Sequence, residues 1–431
     1  MINKKLSKAL GPVLGLMGFI LATGVVELPV FAADTTTTTT TTTTTQASVT
    51  YTDNTASVQP KDYSINTNKS VTENGIKVTV DKAIATKHKL KVTLKIEGDK
   101  ALEDFNHNNS IFAVTYGDND SSFGSSSHAQ LLDDKTMLLT LEKENYRGEY
   151  PEKGAMRVDV ALSNYKVNIG MDIPVDFSSS FENYYTKNIS AKIPQFDYAL
   201  NSLESDVMGT TISYTKPKHD EYDDIDNNDT LWNSKILLKV GDKMYQTDSN
   251  GNYSGDDKKI MGNYVSTLPT YDIIKNEKNI SIVPIFSNIS INDLDDLNIH
   301  DDISKQNTTK DILNNISYEK NFSFSDGSKG ELYNIERNDN SIKVACKGQS
   351  EIESLLMASN LNLNYEYVKG QKNNTFYNNQ AICIYKDPKD SLGYIVEFYN
   401  VQKDKSTNLY LDPMIKQVNM YKLGDEIKLL N

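Results

Sequence analysis

Leu90-Lys91-Val92-Thr93-Leu94-Lys95-Ile96 alternates apolar and polar residues over seven positions. In an extended chain successive side chains point to opposite faces, so this period of two predicts a strand buried on one face only. The same pattern recurs on both sides of it. Gly75-Ile76-Lys77-Val78-Thr79-Val80 alternates, as do Met156, Val158, Val160, Leu162 and then Val167, Ile169, Met171, Ile173, Val175. Gly, Asn, Asp and Ser clusters separate the runs, which is turn chemistry. The pattern predicts an all-β chain of tandem immunoglobulin-like antiparallel sandwiches.

Further along, Lys235-Ile236-Leu237-Leu238-Lys239-Val240, Lys243-Met244-Tyr245-Gln246 and Asp248-Ser249-Asn250-Gly251 read as strand, strand and turn. Asn279-Ile280-Ser281-Ile282-Val283-Pro284 reads as a strand whose Pro suits an edge or an end. Ser341–Cys346, Ile395–Phe398 and Val418–Tyr421 alternate again, whereas Glu351–Ala358 has helical spacing. Three blocks result, each long enough for its own core. They are expected at residues 63–177, 178–290 and 311–431, with the polar stretch Asn292–Lys310 as a linker.

The N-terminus reads differently. Lys4, Lys5 and Lys8 precede 18 uncharged residues, Ala9–Val26, and Val30-Phe31-Ala32-Ala33 supplies small residues for a peptidase. This order is a signal peptide over residues 1–33. The competing reading is an uncleaved N-terminal membrane anchor. Either way, lysines on the short leading side place the rest of the chain outside the membrane. Asp34 is then followed by eleven threonines, Thr35–Thr45. That tract buries no apolar surface, so residues 34–62 are expected to form a disordered Thr-rich linker.

Composition narrows the partners. The chain carries 45 Lys+Arg against 58 Asp+Glu, a net charge of −13. Residues 1–33 hold three of those Lys and one Glu, so the remainder has net charge −15. An acidic surface with only Arg147, Arg157 and Arg337 does not suit nucleic acid, where cations must neutralise phosphates. The expected partner is an envelope protein or a glycan. Cys346 and Cys383 are the only cysteines. They form a bridge if the fold brings them together, and two separate buried thiols otherwise.

No reactive constellation stands out. His88, His107, His128, His219 and His300 show no metal-ligand spacing, and neither a G-x-S-x-G elbow nor a P-loop occurs. Gly124–His128 places Ser beside His without an orienting frame. The acidic runs His219–Asp229 and Asp293–Asp302 are oxygen-rich in the manner of calcium loops, with a solvated linker as the plainer reading. Asp248-x-Asn250-x-Asn252 starts like a calcium loop but has Gly251 too early and no closing Glu, and reads as a hairpin turn over Asp248–Gly255. The 25 tyrosines suit binding surfaces and strands alike. No catalytic, cofactor-binding or metal site is therefore assigned. The expectation is a non-catalytic binding or sensing module of the cell envelope. A wall-polymer hydrolase and a calcium-stabilised adhesive or structural surface protein are the alternatives.

Val71-Thr72-Glu73-Asn74-Gly75-Ile76-Lys77-Val78-Thr79-Val80-Asp81-Lys82-Ala83-Ile84-Ala85, with the Leu90–Ile96 strand, resembles a family. It is the extracellular domain of unknown function of anti-sigma-factor-like membrane proteins in Gram-positive spore-forming bacteria. The Pro29-Val30-Phe31-Ala32 motif resembles the end of that family's membrane segment. Leu238–Asp242 and Ile280-x-Ile282-x-Pro284 resemble the immunoglobulin-like domain that follows it. The resemblance spans about residues 60–290 and implies a sandwich fold, an envelope location and no catalytic residues. Family members that regulate a sigma factor carry a cytoplasmic helical segment. Here eight residues precede the apolar run, so anti-sigma activity is not expected.

Overall fold

Between residues 61 and 430 the computed structural model describes all but 103–109, 118–125, 146–147, 218–233, 255–258, 288–309, 325, 367–380 and 412–417. The expected signal peptide and the Thr tract lie outside the described residues. Among the described residues no helix is long and apolar enough to cross a membrane. The chain is all-β, built from packed sheets that are antiparallel but for one strand pair, as its alternation predicts.

The first block is a two-sheet sandwich. One sheet holds β1 (Ile65–Glu73), β2 (Ile76–Ala85), β3 (Lys89–Gly98), β5 (Ser126–Leu131) and β6 (Thr136–Glu144) in the order β1-β2-β3-β6-β5. The other holds β4 (Ser110–Tyr116), β7 (Lys153–Leu162) and β8 (Val167–Asp176) in the order β4-β7-β8. Their facing apolar residues make one core. Leu90, Val92, Leu94 and Ile96 enter from β3, and Val167, Ile169, Met171, Ile173 and Val175 from β8. Asn74 and Gly75 both take positive φ, 49° and 78°, and close a two-residue hairpin between β1 and β2.

A second five-stranded sheet follows. It contains β9 (Tyr185–Ile193), β10 (Tyr198–Asp206), β11 (Gly209–Pro217), β14 (Asp248–Ser254) and β15 (Lys259–Ser266), ordered β14-β15-β11-β10-β9. Asp248–Ser254, read from sequence as a hairpin turn, is thus mostly strand. Pairing with β15 overrides its turn-forming residues, and the ladder breaks register only between Asn250 and Tyr253. Tyrosines organise this sheet. Tyr198 stacks on Tyr214 at 4.7 Å, and Tyr214 meets Tyr264 at 4.9 Å.

The largest sheet crosses the expected boundary between the second and third blocks. From the second block come β12 (Lys235–Val240), β13 (Lys243–Gln246) and β16 (Ile280–Ser287). From the third come β19 (Asn321–Ser323), β20 (Lys329–Arg337), β21 (Ser341–Lys347), β23 (Ile382–Lys386), β24 (Tyr394–Tyr399), β26 (Tyr421–Leu423) and β27 (Ile427–Lys428). They join as β19-β20-β21-β24-β23-β13-β12-β16-β26, with β27 also on β16. The seam is β13 against β23, where Lys243, Met244 and Tyr245 pair with Tyr385, Ile384 and Cys383. Residues 178–290 and 311–431 are therefore not separate sandwiches, and this corrects the division into three. Pro284, expected at an edge or an end, lies inside this sheet. It falls where β16 passes from its β27 pairing to its β26 pairing, and its carbonyl accepts from Gly424 N–H at 2.9 Å.

Two covers bury the large sheet. The first five-stranded cover, β14 to β9, packs on one face through Ile212, Tyr214, Ile236, Leu238 and Ile282. On the other face lie the helix Glu351–Asn360 and a four-stranded sheet of β17 (Asp311–Leu313), β18 (Ile316–Tyr318), β25 (Thr407–Leu411) and β22 (Leu361–Tyr365). Ser350 caps that helix by accepting from Glu353 N–H at 3.3 Å, while Glu353 accepts from Gln349 N–H at 2.6 Å. Its own Leu355, Leu356, Met357 and Ala358 are all buried.

Gly262 tests the tyrosine packing. It lies opposite Tyr214 on β11, and a Cβ there would fall 2.4 Å from the Tyr214 ring. Gly262→Ala should destabilise the fold by about 1–3 kcal/mol through overpacking. Chemical denaturation checks it: the midpoint falls at unchanged m-value.

Candidate functional site

Because each cover lies over only part of the large sheet, each face passes from core to open surface. In-register neighbours share a face, so the passage can be followed strand by strand. On one face the row runs Val344, Val396, Ile384, Met244, then Lys239, Ser281 and Lys428. The first four are buried core. The last three line a groove of about 440 Å³ together with Asp242, Lys278, Asn279 and Glu426. That size is within the range of small-ligand sites.

Glu426 is the hub of the groove. Its carboxylate accepts from Lys239 Nζ at 2.7 Å and from Ser281 Oγ at 2.6 Å. These bonds hold its pKa below the usual Glu value. A carboxylate kept ionised this way is a weak base toward Ser281. What the arrangement offers is a fixed negative charge and hydrogen-bonding groups at the groove wall. Gly241, at φ 60°, donates its N–H to Asn279 O at 2.9 Å and shapes the rim.

On the opposite face the row runs Glu336, Lys343, Glu397, Cys383, Tyr245, Leu238 and Ile282. The apolar end lies under the five-stranded cover. Glu397 is only 3% exposed. Its Oε2 accepts from Tyr399 O–H at 3.0 Å, and Lys343 Nζ stands 3.9 Å from Oε1. That Oε1 atom has no hydrogen-bond partner. Burial and neighbouring Cys383 push the Tyr245 hydroxyl's pKa up. Sequence reading missed both clusters, because their residues lie on strands and loops far apart in the chain and only the pairing of those strands brings them together.

The residues singled out from sequence are scattered. His88 is part of the junction between the first block and the second: its Nδ1 is 3.0 Å from Gly148 O and its Nε2 is 3.9 Å from Glu204. His128 is exposed on β5. His107, His219, His300 and both acidic runs lie outside the described residues. Among the described residues no group of three acidic, His or Cys side chains could hold a metal.

Cys346 belongs to the core under the helix and Cys383 to the core under the five-stranded cover, on opposite faces of one sheet. Both are free thiols, so the bridge does not form. Burial pushes each thiol up to about 12.

No protein-family model matches the chain, and no curated protein does. Among solved structures, the conserved domain protein from Bacillus anthracis is similar at 15% identity, over 53% of this chain and 80% of that one, with a TM-score of 0.40.

The thiols give a direct test of the two cores. A thiol whose folded pKa is raised stays protonated through neutral and mildly alkaline pH, and the thiolate is the reactive form. A thiol reagent at pH 8 should label neither cysteine in the native chain and both after denaturation. Native labelling of either one would mean that its core is open.

Proposed function

We propose that this chain is a non-catalytic, exported protein of the cell envelope that works as a binding or sensing module. One observation carries the reading. Among the described residues, every carboxylate with a displaced pKa is displaced downward. Asp62 and Asp176 are both held at about 2 by hydrogen bonds from Lys82 and Ser178 respectively, and Glu97, Asp272, Glu351, Asp390 and Glu426 fall below their usual values. Lysines at 82, 275, 347 and 386 are raised, and the two thiols with them. General acid–base catalysis needs the opposite, a group moved toward neutrality. Neighbouring partners favour the charged forms of these surface groups, and burial favours the neutral form of the thiols.

The leader and the Thr tract support the envelope location, and the sandwich frame supports recognition by surface groups. The 440 Å³ groove is the binding locus, with Lys278, Lys428 and Asp242 in its lining. The resemblance to the extracellular domains of anti-sigma-factor-like proteins fits the same reading.

Two measurements test it. Fractionation of expressing cells should place the chain outside the cytoplasm, and the mass of its N-terminus separates cleavage at residue 33 from an intact anchor. Immobilised protein should capture a defined envelope protein or glycan, and reversing Lys278 and Lys428 to Glu should lower the amount captured. A cytoplasmic chain, or one that captures neither class at any calcium level, would overturn the proposal.

A further inference from the structure

The first sandwich has two lateral boundaries, and they are built differently. At one, β1 lies along β8, and side chains cover the backbone. Lys69 Nζ donates to Asp172 O, Asn74 Nδ2 donates to Lys166 O, and Asn168 N–H donates to Glu73 Oε2. Pro174 removes a further donor from β8. These are the devices by which a sheet edge avoids pairing with another chain.

The other boundary lacks most of them. β5 ends the five-stranded sheet and, among the described residues, pairs only with β6. Its sequence, Ser-Ser-His-Ala-Gln-Leu, contains no Lys, Arg, Asp, Glu or Pro. Next to it β4 ends the smaller sheet, and there buried Lys143 Nζ donates to Val114 O at 3.3 Å. Two large apolar side chains stand open at this boundary. Ile111 of β4 is 65% exposed and Leu132, just past β5, is 51% exposed. Of the other edges, β9 carries Lys187 and Lys192, β14 begins with Asp248, β17 and β19 have three residues each, and uncharged β22 has five.

We infer that β5 is a homotypic docking edge, where a second copy of this chain pairs its own β5 antiparallel across a two-fold axis. Three features select a second copy. Six extended residues with one unpaired edge match another strand's backbone and little else. An antiparallel strand pair is self-complementary under two-fold symmetry. No charge on β5 faces its own copy, so the like-charge repulsion that Lys187 and Lys192 would cause in a β9 pair is absent. The product is a ten-stranded sheet shared by two chains, with Ile111 and Leu132 flanking the seam. This pairing is independent of the groove and of what the groove binds.

Sedimentation equilibrium on the full chain tests it, with hydrogen exchange read in parallel. Mass should rise toward twice that of one chain as concentration rises. Amides of Ser126–Leu131 should then exchange about tenfold more slowly than in dilute protein. His128→Lys with Gln130→Lys places charges on residues that face away from the core. It should leave the chain monomeric at an unchanged melting temperature. A wild-type chain that stays monomeric throughout overturns the inference. So does association that persists in the double variant, or that leaves exchange in β5 unaltered.

Discussion

Three residue pairs between β13 and β23 make one large sheet of strands from the second and third blocks. Lys243, Met244 and Tyr245 meet Tyr385, Ile384 and Cys383 across strands that lie about 140 residues apart in the chain. Without this seam, β12, β13 and β16 would be a small sheet with one face under the five-stranded cover. The third block would then join that sheet only through β26 and β27 on β16. With it, one sheet serves two cores. Met244 and Ile384 point into the core under the helix, and Tyr245 and Cys383 point into the core under the tyrosine-rich sheet. The alternation of a strand puts neighbours on opposite faces, so a single ladder supplies both.

Both polar clusters are consequences of that arrangement. Neither cover extends over the whole sheet, so each row of side chains crosses from apolar packing into water or into a polar seam. Lys239, Ser281 and Lys428 appear where the helix side ends, and Glu397, Lys343 and Tyr399 where the five-stranded cover ends. Charged groups at such places have partners close by. Glu426 has Lys239 and Ser281, whereas Glu397 has Tyr399 and a looser Lys343. The unpaired oxygen of Glu397 is the least settled polar atom of the buried row.

Much of the strand content was legible from period-two patterning. Leu90–Ile96 is the centre of β3, and Val167–Val175 fills β8 with perfect alternation of buried and exposed residues. The short helix was legible too, from Glu351 to Ala358, since Ser350 caps it and apolar residues recur at helical spacing. Asp248–Gly255 was misread because Asp, Ser, Asn and Gly favour turns locally, and only β15 as a partner makes the segment a strand. The 25 tyrosines had no evident role in sequence, yet three of them, Tyr198, Tyr214 and Tyr264, stack through one sheet that a glycine makes room for.

Sequence alone determined which residues face inward along each strand, because alternation is a local property of the extended backbone. It also determined the charge balance and the kinds of group present. It did not determine which strands are neighbours. Hydrogen-bond ladders between distant segments carry no local signature, since every strand offers the same N–H and C=O groups. So the merger of the second and third blocks, the separation of Cys346 from Cys383 on opposite faces, and the meeting of Lys239 with Glu426 were decided only by tertiary pairing.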